Sequence, residues 1–169
     1  GHAKCRSFLI SELRKQSNSV QTQPFLFKDD DSNVTLTLTN IIANFPGTNP
    51  ESRKVLLAAH WDTRPRAERD PDPKKRNDPI PGANDAASGV AVLLEMGRIF
   101  AEHPPPVPVD IVLFDGEDYG KQGERQNYLL GAKHFARDVR PQQYQFGILI
   151  DMVGDKRARF VKEGYSNTM

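Results

Sequence analysis

A chain of 169 residues is long enough for one domain with a real core and too short to expect two. With 37% apolar residues, 27% charged residues and a formal charge of +1, it has no basic field that would indicate a nucleic-acid partner. No run of about 18 apolar residues marks a membrane span, and a single cysteine, Cys5, excludes an internal disulfide.

Cys5, Phe8, Leu9 and Leu13 recur at helical spacing, and Lys4, Arg6, Glu12, Arg14 and Lys15 fill the other face. The spacing predicts an amphipathic helix over 3–16 with Cys5 as a packing residue on its apolar face. Gln21–Lys28 and Val34–Ala43 read as strands separated by the acidic turn Asp29–Asn33. Val34, Leu36 and Leu38 alternate with threonines in the second, which suits a half-exposed antiparallel strand. Val55–His60 is a continuous apolar run, short enough for a strand buried on both faces. The connection Thr63–Asn84 carries Pro65, Pro71, Pro73, Pro79 and Pro81 among many charges, and so long a loop in a compact domain is usually functional or disordered.

Ala86–Glu102 reads as a helix that is apolar around most of its girth, with only Glu95, Arg98 and Glu102 as a polar stripe. Such a helix is expected to be covered on several sides. Val109–Phe114 is the next buried strand, Tyr128–Arg137 a shorter helix, Phe146–Asp151 a strand and Arg159–Lys162 a further one. Alternating strands and helices from residue 55 imply right-handed crossovers. The expected fold is α/β, a three-layer αβα arrangement around a mostly parallel mixed sheet.

The chemistry gathers at the ends of these strands. LLAAHWDT ends in His60 and Asp62, GANDAASG contains Asp85, VDIVLFDGED ends in Glu117 and Asp118, and FGILID ends in Asp151. Parallel strands place their C-terminal ends along one sheet edge, where open α/β folds hold ligands. Imidazole and carboxylates there suit zinc, and an additional carboxylate suits a general base. Each residue alone has an ordinary alternative. His60 could be a structural hydrogen-bonding residue, Asp85 the N-cap of the following helix, and Glu117-Asp118 a solvated turn between Gly116 and Gly120. Adjacent carboxylates at a buried strand tip repel unless a cation or a shared proton holds them, so the pair is the sharper signal. Asp62 is placed to fix the His60 tautomer. His134 reads as a packed helix residue or a support of the site, and His2 and His103 as surface positions.

The segments AHWDTRP (59–65), PGANDAASGVAVLLEMGR (81–98), VDIVLFDGEDYG (109–120), YLLGAKHFA (128–136) and ILIDMVGD (148–155) resemble, in order, the zinc aminopeptidase family that includes the animal-type glutaminyl-peptide cyclotransferases. In a two-zinc aminopeptidase the resemblance implies His60 and Asp151 on one ion, Asp118 on the other, Asp85 bridging and Glu117 as base. In a cyclotransferase it implies one zinc held by Asp85, Asp118 and a later histidine, with Glu117 shuttling the proton and Asp151 hydrogen-bonding within the site.

Three departures stand out. Position 118 is Asp where many relatives have Glu, no histidine follows in the place of the last ligand, and Trp61 is the only tryptophan. HWDTRP and FDGEDYG most resemble bacterial members of the cyclotransferase branch. The implied reaction is zinc-dependent conversion of N-terminal glutamine to pyroglutamate with loss of ammonia, and the implied substrates are peptide or protein N-termini. Aminopeptidase hydrolysis is the alternative, and a non-catalytic binding domain on this fold is a third, disfavoured because the acids are retained. The resemblance also implies an extracytoplasmic location. Residues 1–169 are expected to form a single, incomplete zinc-exopeptidase-like domain, with oligomeric state open.

Overall fold

The computed structural model describes residues 1–121 and 123–160. Helix α1 (His2–Gln16) is followed by β1 (Ser19–Asp29), β2 (Val34–Phe45) and β3 (Lys54–His60). Helix α2 (Ala87–Glu102), β4 (Val109–Phe114), α3 (Leu130–Asp138) and β5 (Tyr144–Leu149) complete the elements. The sheet order is β1-β2-β4-β3-β5, with β3 parallel to both β4 and β5 and β2 antiparallel to both β1 and β4. Only β2 therefore runs against the rest. Pro24, which has no N–H to donate, is tolerated because β1 is an edge strand.

Period-2 alternation divides the core between the two sheet faces. Leu57, Ala59 and Trp61 of β3 and its end join Ile111 and Leu113 of β4 against Leu9 and Leu13 of α1 and Val90 and Leu93 of α2. The intervening Ala58, Val112 and Phe114 face Phe135 of α3 on the opposite side. This is the expected three-layer αβα arrangement. Leu93, Ile111 and Leu113 are fully buried, each stabilising by about 1.5–3 kcal/mol relative to exposure.

Several expectations need correction. Leu9 and Leu13 are buried, but Cys5 is exposed and Phe8 is 56% exposed. The first turns of α1 overhang a cavity of about 860 Å³ whose lining includes Cys5, Phe8, Leu36, Leu38 and Leu94, so the apolar stripe is longer than the surface that covers it. Among the described residues helix α2 is covered by α1 and by the sheet, with its remaining face open. Val90 and Leu93 are buried while Val92 and Ile99 are 40% and 38% exposed. Arg159 and Phe160 lie outside any strand, and the other two residues of the strand expected there, 161 and 162, lie outside the described residues.

The proline-rich connection is ordered by its own stitches. Thr63 Oγ1 donates to the Ile80 carbonyl at 3.0 Å and the Ile80 N–H donates to the Arg64 carbonyl at 3.0 Å, closing the loop at its base. Asp72 caps a short 3-10 turn, Pro73–Lys75, at the far end.

Candidate metal centre

His60 ends β3 in register with Phe114, which ends β4. The chain leaves β3 for β4 on one side and reaches β5 on the other, so β3 marks the point where the connections diverge. Ligand crevices in α/β sheets open there. Gly116 turns the chain just after β4 with a φ of +70°, a conformation that disfavours any Cβ, and this turn delivers Glu117 and Asp118 to the crevice. On the other flank, Gly89 lets α2 pass against the Ile150 carbonyl, where a Cβ would collide. Ile150 N–H donates to the Ala58 carbonyl at 2.8 Å, which brings Asp151 back toward His60.

Around the buried imidazole the distances are short. His60 Nε2 lies 2.8 Å from Asp85 Oδ1 and 3.4 Å from Asp151 Oδ1, and Nδ1 lies 3.4 Å from Asp62 Oδ1. Donor atoms of His60, Glu117 and Asp151 lie within 4.8 Å of one another. That is the tightest donor set among the described residues, and it includes Glu117, which the sequence assigns to proton transfer. Asp118 is less exposed than Asp85 or Asp151, and its Oδ1 lies 4.0 Å from Arg64 Nη1. Asp85 is not the cap of α2: that position is Ala86, and no side chain caps the helix.

Asp62 does more than face the imidazole. Its two oxygens accept the backbone N–H groups of Glu117 at 2.9 Å and Asp118 at 3.0 Å, pinning the acidic turn to the end of β3. The turn is not a solvated one. Burial, reinforced by Asp151, Asp62 and Asp118 against the pull of His60, pushes the Glu117 carboxyl up to about 7. Burial and the neighbouring Asp85 carboxylate push Asp118 up to about 6. Burial pulls His60 down, but Asp62, Glu117 and Asp85 outweigh it and hold the imidazole at about 9.

Glu117 Oε2 is buried with no hydrogen-bond partner, and Asp85 Oδ1 and His60 Nδ1, although 2.8 Å from His60 Nε2 and 3.4 Å from Asp62 Oδ1, make no well-directed hydrogen bond. Crowded carboxylates that raise the pKa of Glu117 and Asp118, with Glu117 Oε2 left unpaired, fit a divalent cation by their chemistry. The oxygen and nitrogen donors suit zinc.

Four residues escape the sequence. Asp115 is fully buried, accepting the Thr39 N–H at 2.7 Å and His2 Nε2 at 2.9 Å. His2, expected as a plain surface residue, is half-exposed yet stacks on Trp61 with ring centroids 4.3 Å apart. Asn40, also fully buried, accepts the Asp115 N–H at 3.1 Å and donates to the Gly131 carbonyl at 2.9 Å. These partners are far apart in sequence, and no local spacing signals them. Arg64 is the fourth, donating to the Tyr128 hydroxyl and the Gly120 carbonyl, and its signals are its basic side chain and its place in HWDTRP. His134 is packed as expected, stacked on Phe25 at 4.4 Å.

Residues 40–168 match the model of peptidase family M28. A curated relative, a probable zinc metalloprotease from Pyrenophora teres f. teres, is 33% identical over 123 residues, which are 72% of this chain and 24% of that protein. A glutaminyl cyclase of Bacteroides thetaiotaomicron, solved bound to N-acetylhistamine, superposes with a TM-score of 0.88 at 38% identity. A leucine aminopeptidase precursor of the same species gives 0.89 at 39% identity. Each of these two matches covers 99% of this chain and 59% of the solved one.

Proposed function

The chain belongs to peptidase family M28, and from that premise we propose that it carries the zinc site of a glutaminyl-peptide cyclotransferase. Asp85 and Asp118 hold the ion and Glu117 is the proton carrier. Asp151 hydrogen-bonds within the site, and His60 and Asp151 become ligands only if a second zinc binds. Bound zinc supplies Lewis acidity toward a carbonyl oxygen.

The observation that carries the reading is Glu117, whose buried carboxyl is poised near 7 with Oε2 unpartnered inside the acid cluster. A group with a pKa near the working pH takes and returns a proton efficiently. In the proposed reaction the α-amine of an N-terminal glutamine attacks its own γ-amide carbon. A carbon–nitrogen bond forms to the α-nitrogen and the bond to the amide nitrogen breaks. Glu117 takes the proton from the attacking amine and delivers it to the departing ammonia, leaving pyroglutamate. Asp62 holds Glu117 in place through its backbone N–H.

The choice of cyclisation is supported by the cyclotransferase-like HWDTRP and FDGEDYG segments. A second reading, aminopeptidase hydrolysis, is favoured by the convergence of His60, Glu117 and Asp151, which offers donors for a second ion. There Glu117 takes its proton from water instead. Substrates in both readings are peptide or protein N-termini. An extracytoplasmic location belongs to the same proposal, and no helix among the described residues is long and apolar enough to cross a membrane.

Product analysis on the full-length protein separates the two readings. A glutaminyl peptide is expected to yield pyroglutamate and ammonia with one zinc per chain, while leucyl and alanyl amides are left almost untouched. Two zincs per chain with rapid leucyl-amide hydrolysis would transfer the assignment to the aminopeptidase.

A further inference from the structure

Resting on the zinc reading above, we propose that Arg64 is a positioning residue for the metal-holding acidic turn. Its guanidinium reaches three segments at once. Nη1 donates to the Tyr128 hydroxyl at 2.7 Å, while Nη2 donates to the Gly120 carbonyl at 3.3 Å and to Glu68. The cation also lies over the Tyr128 ring, 5.6 Å from its centroid. Nη1 stands 4.0 Å from Asp118 Oδ1. Through its backbone carbonyl Arg64 also takes the Ile80 N–H that closes the proline-rich loop.

The acidic turn is thus held from two sides. Asp62 grips the N–H groups of Glu117 and Asp118, and Arg64 grips the far end at Gly120 and the tyrosine packed against it. A second arginine repeats the contact one residue away, where Arg66 Nη2 donates to the Tyr119 carbonyl at 2.8 Å. A planar fork with five donors satisfies an aromatic hydroxyl, a carbonyl and a carboxylate together. A lysine ammonium on its flexible stem does not reproduce that geometry.

Positioning and charge predict opposite signs. A guanidinium near a cation site repels the incoming ion, so by charge alone its removal tightens zinc binding. If Arg64 acts by holding Asp118 in place, its removal weakens binding, and losing a residue that supports a ligand typically costs about 10–100-fold in metal affinity.

The test is zinc affinity of the full-length protein, measured by competition with a chromophoric chelator at fixed pH and high salt. Melting curves verify folding, and the visible spectrum of the cobalt-substituted protein reports ligand geometry. Arg64→Ala is expected to weaken zinc by about 10–100-fold and to alter the cobalt bands. Arg64→Lys is expected to stay weakened, because it restores the charge without the fork. Tyr128→Phe, which removes one anchor and no charge, is expected to weaken zinc by a smaller factor, and it carries the test with Arg64→Lys if Arg64→Ala fails to fold. Unchanged or tighter zinc binding in folded Arg64→Ala, or wild-type affinity in Arg64→Lys, overturns the inference. A wild type that binds no zinc overturns the zinc reading and this inference with it.

Discussion

Strands β4 and β5 flank β3 on opposite sides, run parallel to it, and both send carboxylates toward the same imidazole. Their surroundings differ completely. Every residue of β4 is buried, whereas among the described residues β5 is an edge strand with Phe146, Ile148 and Leu149 at 38%, 49% and 50% exposure. Behind β4, the turn bearing Glu117 and Asp118 is anchored by the Asp62 carboxylate and rooted in the buried Asp115 and Asn40 network. Behind β5, Asp151 hangs on backbone N–H groups of its neighbours: Ile150 donates to the Ala58 carbonyl, Val153 to Ser88 Oγ at 3.0 Å, and Gly154 to Asn84 Oδ1 at 2.8 Å. Two strands of equal length thus differ, among the described residues, in having two neighbouring strands or one. Apolar sequence fixes what a strand can bury, and the number of its neighbours fixes what it does bury.

The largest expected contrast is catalytic. Glu117→Gln on the rooted side should lower kcat by about 10²–10⁴-fold, with zinc affinity changed by no more than a few-fold. Asp151→Asn on the edge side should cost less, about 10–100-fold. Steady-state kinetics on both variants, with zinc content measured in parallel, decide this. Equal losses would mean that the two sides are held equally firmly after all.

Stability offers the next contrast. Leu113→Ala removes a fully buried side chain from β4 and should cost about 2–5 kcal/mol. In the 169-residue chain, Leu149→Ala on β5, half-exposed among the described residues, should stay within about 0.5 kcal/mol. Urea titrations of the two variants read the difference directly, and a large loss at Leu149 would show that β5 is covered in solution.

The smallest effect is the dependence of stability on pH. Glu117 and Asp118 rise on folding from 4.5 to about 7 and from 3.8 to about 6, so the folded protein binds more protons than the unfolded one. Their contribution declines as pH rises across that window. His60 rises from 6.5 to about 9, so its contribution is present below 6.5 and is lost as pH climbs through 9. Both act in one direction. Zinc-free protein should melt several degrees lower at pH 9 than at pH 5, at roughly 2–4 °C per kcal/mol for a chain of this size. A flat or opposite profile would mean that the acid cluster is more open to water than its burial implies.

Much of this was legible because it depends on local pattern. The continuous apolar runs gave β3 and β4, and their order gave parallel neighbours whose ends meet, which brought His60, Asp85, Glu117 and Asp151 into one candidate site. What stayed hidden depends on distant partners. The pairing of His2 with Asp115 spans 113 positions, so neither residue's spacing reveals it. Cys5 and Phe8 follow the periodicity that buries Leu9 and Leu13, yet periodicity says nothing about how far the covering surface extends. The double grip of Asp62 on the acidic turn uses backbone groups, which carry no side-chain signature.

The stitch between Arg64 and Ile80 also separates variation from precision. It turns the proline-rich connection into a ring tied off before Asp85, so changes of length near Pro73–Lys75 leave both ends of the ring where they are. Lengthening a flexible loop is thermodynamically mild, about 0.6 kcal/mol per doubling. Evolution therefore has a stretch here that can be lengthened, recoloured or given new contacts beside the acidic cluster while the residues that hold it keep their places.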